Sequence, residues 1–594
     1  MDARATYSAR VQHWRSVAAR AERDFARLGW ARVATLAAGA LMAWFAFREP
    51  ALDPWWLAAP TVLFLVLGRR LDAAGRRRDL ASRALAHFEM AFARMDDAWA
   101  GKGTWGENFR DTHHVYAEDL DLFGRGSLFE LLCTARTTSG EQMLAAWLLK
   151  AAGREEALAR QAALGELAPR VDLREEFALL GEDARSGVHS EAVAKWGADP
   201  GVIFPAWTRP AAWALAGINA LTLGGFFAGY WSGTVVLSAL APALALAYLV
   251  REQTSQALAK VRSSSRDLQI LAHMFARLEQ ERFGAPRLVR LREQLRPEGR
   301  LVSSRIAQLA RIVVWIDSCN HLIVATLAPF LALRPQLAMA VERWRAQNGP
   351  HIAQWVAVLA EIEALNSLAA FTFEHPSAHF PELLADATPR FEARELRHPL
   401  LPAQTSVPND VSLGGDLRLV IVSGSNMSGK STLLRAVGLN CVLAWAGAPV
   451  LAGSLRISPL ALGGSLRTVD SLQEGRSRFY AEILRLRQIL DLTEGARPVL
   501  FLLDELLSGT NSHDRRIGAE GVIQGLIERG AAGMVTTHDL ALVKIADALG
   551  HRATNWHFED HLEEGKISFD YKLRPGVVQR SNALELMRAV GLKV

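Results

Sequence analysis

The stretch from residue 417 to residue 447 places the strictest limit on what this chain can fold into. Residues 417–422, LRLVIV, have the composition of a buried strand, and a helical pattern starts near residue 433. Between them lie Gly424, Ser425, Asn426, Met427, Ser428, Gly429, Lys430, Ser431 and Thr432. Glycines here let backbone N–H groups and the helix N-terminus face a phosphate. The pattern predicts an α/β domain that binds ATP, with Lys430 at the β and γ phosphates and Ser431 on Mg²⁺.

Two further apolar segments end in polar residues that suit the same chemistry. Residues 499–503, VLFLL, are followed by Asp504 and Glu505, and residues 533–537, GMVTT, are followed by His538. An aspartate at a strand end can order the Mg²⁺ shell, and the adjacent glutamate can polarise the attacking water. We therefore assign Asp504 to the metal, Glu505 to the water and His538 to sensing of the γ phosphate.

Composition makes part of the chain suitable for lipid. The 594 residues are 50% apolar and 22% charged, with a formal net charge of +5, which excludes wholesale disorder and a single small module. Three widely spaced cysteines argue against a disulfide framework or a zinc site and favour a reducing compartment. The small positive excess suggests an anionic partner without specifying nucleic acid.

The longest uncharged run extends over residues 210–250, between Arg209 and Arg251. Forty-one residues of helix would span roughly 60 Å, about twice the thickness of a bilayer core. A Gly-Tyr-Trp-Ser-Gly stretch at 229–233 supplies a turn with interfacial aromatic residues. We therefore predict a transmembrane hairpin with helices over about 210–227 and 234–250, the alternative being a buried hairpin in a soluble core.

A second, weaker hairpin is predicted within residues 30–68. Its uncharged segments, 33–47 and 54–68, are each 15 residues long and have tryptophans at their borders. Arginines precede this pair and follow it, which places both ends in the cytoplasm and gives a cell-membrane protein with about four helices. A core helical hairpin is the alternative, and a cleavable signal peptide is excluded by the long polar segment in front.

Two other stretches have competing interpretations. Residues 312–333 are long enough to cross a membrane, but Asp317, Asn320 and His321 favour a packed helix. The arginine-rich residues 69–94 could contact anionic lipid or DNA, although the membrane topology alone accounts for them.

The motifs and their surroundings resemble the MutS family of mismatch-repair ATPases, a branch of the ABC-class ATPases. RHPLL at 397–401 and VPND at 407–410 resemble the entry to its ATPase domain, DSLQEGRSRFYAE at 470–482 its signature helix, and LDELLSGTNS at 503–512 its Walker B motif and D-loop. Residues 565–592 resemble its closing, dimer-forming segment. Upstream, GSLFELL at 126–132, TTSG at 137–140 and RQAALGEL at 160–167 resemble the start of its helical lever domain.

The resemblance implies a homodimer in which two ATPase domains sandwich two nucleotides and drive the levers. It implies nucleotide contact from Val407 and a role in trans for Ser477. Arg478 stands where the family has Ser or Thr, and it could act as a trans-acting finger on the phosphate or pair with Glu474 or Glu482.

The departures bear on function. No mismatch-reading domain or Phe-x-Glu wedge precedes residue 115, and the 210–250 hairpin replaces a DNA-clamping insertion. The expected organisation is an N-terminal helical region with a hairpin (1–112), a lever domain interrupted by the second hairpin (113–384), and an α/β P-loop ATPase domain (385–594). The favoured function is that of a membrane-anchored ATPase whose dimer and lever movements are linked to DNA repair or to DNA binding without mismatch discrimination. ATP-driven remodelling of a membrane protein or lipid assembly without DNA is the alternative. An ABC transporter is disfavoured because no LSGGQ-type signature precedes the Walker B motif.

Overall fold

The computed structural model describes residues 2–48, 53–181, 190–260, 265–296, 299–425, 427–467, 478–563 and 566–578 of the chain. Its first part is helical. The helices are α1 (Ala3–Phe47), α2 (Ala58–Met95), α3 (Leu128–Leu132), α4 (Thr138–Leu149), α5 (Arg154–Leu167), α6 (Val171–Gly181), α7 (Ser190–Ala198), α8 (Thr208–Phe227), α9 (Gly233–Leu249), α10 (Arg251–Lys260), α11 (Ser265–Gln280), α12 (Pro286–Glu293), α13 (Val302–Ser318), α14 (Leu322–Leu327) and α15 (Leu333–Glu374).

The remainder alternates strands and helices. The strands are β1 (Glu382–Leu383), β2 (Arg390–Leu396), β3 (Asn409–Gly414), β4 (Leu419–Ser423), β5 (Ser454–Ile457), β6 (Ala461–Ser465), β7 (Val499–Asp504), β8 (Ala532–Thr537), β9 (Ala553–Glu563) and β10 (Lys566–Pro575). The helices are α16 (Lys430–Ala446), α17 (Arg478–Asp491), α18 (Ser512–Glu528) and α19 (Leu540–Leu549). β1 pairs with β5, so the α/β part includes residues just before the predicted boundary at 385.

The strands form two sheets. The larger has the order β10-β9-β4-β8-β7-β6, in which β9, β4, β8, β7 and β6 are parallel and β10 is antiparallel to β9. The smaller has the order β1-β5-β2-β3. β4 is buried throughout because helices cover both faces of a parallel sheet. The strands predicted from residues 417, 499 and 533 onward are confirmed, and their carboxyl ends lie at one edge of the larger sheet.

α15 is the central support of the helical part. Residues 355–374 are almost entirely buried, and α4, α5, α7, α10 and α13 pack along the helix. Thr137 caps α4 by accepting the backbone N–H of Gly140, and Glu363 of α15 accepts the backbone N–H groups of Arg136 and Thr137. These bonds join the start of the lever region to the middle of α15.

α1 and α2 form a hairpin whose base is tied to the end of α15. Tyr7, Phe88 and Phe373 pack together, while Arg94 and Glu374 form a buried bidentate ion pair with N–O distances of 2.6 and 2.5 Å. Both helices are much longer than the apolar segments predicted at 33–47 and 54–68. The apolar segments occupy only the distal half, because arginine-rich turns extend each helix toward the base.

α8 and α9 form the second hairpin, at the bounds predicted for it. Ala212 and Leu246 pack on Ala332, and Asn219 donates from Nδ2 to the backbone oxygen of Phe330 at 2.9 Å. Among the described residues, the helices long and apolar enough to cross a membrane are α1, α8 and α15, and α9 with α10 qualifies as a pair bent by 61°. The apolar window of α15 is 83% buried, whereas those of α1 and α8 are 11% and 17% buried.

Residues 312–333 depart from the prediction of one packed helix. α13 ends at Ser318, a turn follows, and the short α14 begins at Leu322. Val313 is buried against the helical core, but Trp315 and Leu322 are 56% and 83% exposed. The polar residues Asp317, Asn320 and His321 that argued against a crossing lie at this break, where helix-end backbone groups remain to be hydrated.

Candidate nucleotide site

The loop between β4 and α16 forms a cradle of backbone. Gly424 and Gly429 have φ angles of 153° and 103°, and a Cβ at Gly424 would lie 2.9 Å from Ser428 Oγ and 3.1 Å from the Phe558 oxygen. Only glycine fits such a position. Met427 is 84% exposed with a φ of 70°. Asn426, which was predicted to contact nucleotide, lies outside the described residues.

Lys430 is the first residue of α16 and is folded onto the loop. Its Nζ donates to the backbone oxygens of Gly424 at 2.9 Å and Ser425 at 2.7 Å. Burial lowers the pKa of Lys430, and the nearby carboxylates of Glu505 and Asp504 act in the opposite direction. The buried hydroxyls of Ser425 and Ser428 have no hydrogen-bond partner among the described residues. A phosphate in the cradle would satisfy these hydroxyls and engage the ammonium group, so the residues present fit a nucleotide.

The two carboxylates end β7 beside this loop. Asp504 accepts a hydrogen bond from the hydroxyl of Thr536, and the Glu505 backbone N–H donates to the Thr536 oxygen at 3.2 Å. His538 follows β8, and its Nδ1 lies 3.4 Å from Glu505 Oε1. Glu505 and Leu507 both have positive φ angles, 48° and 54°, which mark a sharp turn after the strand. The predicted Asp504, Glu505 and His538 are thus brought together.

A cavity of about 640 Å³ opens from these residues toward the smaller sheet. Its phosphate end includes Lys430, Ser431, Thr432, Asp504 and Glu505. Val407, His398, Phe558 and Tyr571 also line the cavity, and the last two lie against the glycines of the phosphate loop. A volume in the range of small-molecule sites, with charged and polar groups beside the phosphate loop and apolar and aromatic groups elsewhere on its wall, suits a nucleotide. Val407, predicted from the resemblance alone, lies in this cavity.

Tyr571 and His398 were not predicted. Tyr571 lies on a bulge of β10 with a φ of 53°, and a Cβ on Gly429 would lie 3.2 Å from its ring. Asn409 fixes the bulge by donating to the Tyr571 oxygen at 2.9 Å and accepting from the Leu573 N–H at 2.8 Å. Burial, with Arg435 nearby, lowers the pKa of His398 to about 4.

Within the described ranges, no group of three or more His, Cys, Asp or Glu side chains could hold a metal ion. Ser431 and Asp504 both line the cavity. Two protein oxygens fit Mg²⁺, which usually keeps several waters and binds phosphate oxygens as well. Ser477 lies outside the described residues. The structure describes the backbone of Arg478 as the start of α17 but not its side chain, so its two predicted roles remain predictions.

A buried lysine on a glycine cradle, facing an Asp-Glu pair at the carboxyl edge of a parallel sheet, defines the class of P-loop nucleotide-binding domains. Comparison with known proteins specifies the class further. Residues 420–593 match the family model for MutS domain V. The C-terminal part of the chain is therefore similar to MutS domain V.

Individual relatives agree with this assignment. The chain is 33% identical over 231 residues to the endonuclease MutS2 of Thermomicrobium roseum, covering 36% of this chain and 28% of that protein. It is 28% identical over 269 residues to the DNA mismatch repair protein MutS of Streptococcus pneumoniae serotype 19F, covering 44% of this chain and 30% of that protein. The similarity thus spans less than a third of either relative. These matches support a place for the chain in the MutS family.

Proposed function

We propose that this protein is a membrane-anchored MutS-type ATPase in which Mg²⁺-dependent ATP hydrolysis moves the helical levers. The observation that carries the proposal is the convergence of Lys430, Asp504 and Glu505 on one cavity at a phosphate cradle, with His538 beside Glu505. Few other functions require a buried lysine on a glycine-rich loop, followed in the sequence by an Asp-Glu pair at the end of a neighbouring strand.

Each side chain of the site has a separate role in hydrolysis. Bound MgATP supplies the scissile phosphoanhydride. Lys430 neutralises phosphate charge once its Nζ leaves the loop carbonyls, and Asp504, held by Thr536, orders the metal shell together with Ser431. Glu505 positions the attacking water. His538 lies close enough to orient the Glu505 carboxylate as well as to sense the γ phosphate.

The catalytic carboxylate and the histidine beside it are accessible from outside the ATPase domain. Glu505 and His538 have side chains that are 35% and 49% exposed. Hydrolysis proceeds best where water is excluded and charge is stabilised at low dielectric. A second copy of the ATPase domain, presenting its signature helix and Ser477, would close the site, so we infer a homodimer.

The hairpins support the membrane anchor. Trp30, Trp44, Trp55, Leu221 and Leu237 are each more than half exposed, and each large side chain left in water forgoes about 1.5–3 kcal/mol. Below the apolar tip of the first hairpin lies an arginine collar of exposed side chains, namely Arg23, Arg27, Arg69, Arg70, Arg76 and Arg77. Tryptophans at the border and arginines beyond them are typical of helices entering a bilayer from the cytoplasm. The partners we infer are membrane lipid and, through phosphate contacts, DNA.

A second candidate function is remodelling of a membrane protein or lipid assembly without DNA. It is favoured by the buried Arg94–Glu374 pair, which ties the first hairpin directly to the end of the lever helix α15. Lever movement would then act on the membrane segment itself.

Hydrolysis rates of the full chain in lipid nanodiscs, with duplex, branched and single-stranded DNA added, separate the two functions. Stimulation that falls steeply with salt and is equal for matched and mismatched duplexes supports the DNA function. A several-fold preference for a mismatch contradicts the absence of discrimination. Hydrolysis that no DNA alters favours remodelling.

A further inference from the structure

A short non-helical segment of the lever region, residues 112–121, lies directly on the ATPase domain, and we call it the strap. The backbone oxygen of Val115 accepts the N–H of Gly464 in β6 at 2.8 Å. A Cβ on Gly464 would lie 3.5 Å from Asp119 Cβ, and one on Gly438 of α16 would lie 2.6 Å from Leu120. The strap therefore fits tightly against both β6 and the helix that begins at the phosphate loop.

Two aspartates of the strap hold the end of β6. Asp119 is 2% exposed, and its Oδ1 accepts the backbone N–H groups of Leu466 and Arg467, each at 2.7 Å. Asp121 forms a bidentate pair with the Arg467 guanidinium at 2.5 and 3.0 Å. The same carboxylate accepts from Arg435, one turn beyond the phosphate-contacting start of α16, at 3.2 Å. Asp121 is thus shared between β6 and α16.

The strap also holds the signature helix α17. The guanidinium of Arg485 donates to the backbone oxygens of Thr112, His113 and His114 at 3.0, 3.3 and 2.6 Å. Arg467 and Arg485 lie on either side of the signature motif in the sequence. One ten-residue strap therefore fixes the chain on both flanks of that motif.

The strap continues into the part of the lever region that contacts α15. Leu128 donates its N–H to the Asp121 oxygen at 3.0 Å, which places α3 directly after the strap. Beyond α3, Thr134 donates its N–H to Ser367 Oγ at 3.1 Å, and Glu363 accepts from Arg136 at 2.9 Å. Hydrogen bonds at both ends of the short helix α3 thus connect the signature flanks and the phosphate-loop helix to the lever helix.

We propose that Asp121 is a positioning residue for hydrolysis, which through Arg467 and Arg435 holds the end of β6, on the N-terminal flank of the signature motif, and the phosphate-loop helix in register with the lever. The inference rests on the proposed ATPase function. The hydrogen-bond partners of the Asp121 side chain are Arg435 and Arg467, and neither lines the nucleotide cavity. Asp121 therefore acts on turnover indirectly, by holding the end of β6 and the helix α16. The ion pair between Asp121 and Arg467 is bidentate, which makes it directional as well as attractive.

The test is Asp121→Asn in the full chain. Asparagine tolerates the φ of 53° at this position, so the substitution removes charge without straining the backbone. We expect kcat to fall about tenfold with the KM for ATP within twofold. Unchanged kcat, or a rise in KM without loss of kcat, overturns the proposal.

A second variant tests the proposal independently in case Asp121→Asn does not fold. Arg485→Gln removes the strap contact from α17, and Arg487→Gln is its matched control, because Arg487 is 65% exposed and pairs with Asp491 on the same helix. We expect Arg485→Gln to reduce kcat as Asp121→Asn does and Arg487→Gln to leave it unchanged. Equal rates for the two arginine variants contradict the proposal.

Hydrogen exchange in nucleotide-free protein separates this inference from the proposed function. We expect Asp121→Asn to increase exchange at the end of β6 and in α16, and Arg485→Gln to increase it in α17, whereas Arg487→Gln changes exchange in none of these elements. If the wild-type chain does not hydrolyse ATP, the proposed function fails while increased exchange still supports the strap. Exchange that neither variant changes overturns the strap as a positioning element.

Discussion

The ammonium group of Lys430 lies against the backbone of the phosphate loop. Its two hydrogen bonds to loop oxygens would be exchanged for phosphate oxygens on binding, and charge-assisted bonds are worth about 1.5–3 kcal/mol each. We expect Lys430→Ala to weaken ATP binding by about 100-fold or more. The exposed Lys544, in the same domain, provides the control variant Lys544→Ala. Titration with a fluorescent nucleotide measures the affinity of both variants. Equal affinities would show that Lys430 does not bind the nucleotide.

His398, which lines the nucleotide cavity, makes the free energy of unfolding depend on pH, and the direction of this dependence follows from its pKa. Its folded pKa of about 4 lies below the usual 6.5, so the unfolded state binds the proton first and stability falls as pH drops from about 6.5 to 4. Between pH 7.5 and pH 5 this amounts to about 2 kcal/mol. His398→Asn retains an acceptor for the Leu400 N–H but does not titrate. Unfolding of both proteins at the two pH values checks this, and an equal loss of stability contradicts the burial of a neutral His398.

At this scale the sequence predicted residues whose chemistry is local to a motif. Gly424, Lys430, Asp504, Glu505 and His538 all follow from strand ends in sequence. Thr536, which holds Asp504, and Tyr571, which covers Gly429, reach the site only through sheet order and a bulge. His398 could have been suspected from its place in the RHPLL motif, but only packing reveals that it is buried.

Among the elements, the two hairpins carry the membrane proposal independently of the nucleotide site. Each presents apolar surface to the outside, and lipid would cover that surface without any change in the core. We expect carbonate to leave the full chain in the membrane, to leave a chain lacking either 30–68 or 210–250 there as well, and to release a chain lacking both. Release of the full chain by carbonate would show that these helices are not membrane spans.

Helices and strands were predicted correctly where the pattern of apolar residues had a single interpretation. The parallel strands and the α8–α9 hairpin matched closely because apolar runs bounded by glycine or charge define both ends. The length of α1 and α2 was not predictable from apolar segments, since their arginine-rich halves are helical through contacts with α6 and α15. The break after Ser318 was missed because a 22-residue apolar run conceals a turn at its polar centre.

On the scale of the whole molecule, the nucleotide site and the hairpins are connected through α15. The strap joins the ATPase domain to α3 and α4, these dock on Glu363 and Ser367, and Glu374 ends the helix in a buried pair with Arg94 of the first hairpin. α8 and α9 contact the opposite end of the same helix through Ala332. A helix of 42 residues, here with Pro350 in its interior, can transmit a displacement over about 60 Å. This connection is why we place ATP turnover, and not nucleotide binding alone, at the centre of the account.

Glu505→Gln tests that account most directly. The carboxylate lies beside His538 and the phosphate loop, and replacing it by an amide removes water activation while leaving Lys430 and Ser431 to bind MgATP. Phosphate release and molecular mass of the wild-type and variant full chains, purified in detergent with and without MgATP, are the measurement. We predict that the wild type releases phosphate, and that Glu505→Gln binds ATP, releases phosphate at least about 100-fold more slowly and accumulates as a dimer with ATP. Phosphate release at the wild-type rate by Glu505→Gln, or a monomer in both conditions, would contradict the account.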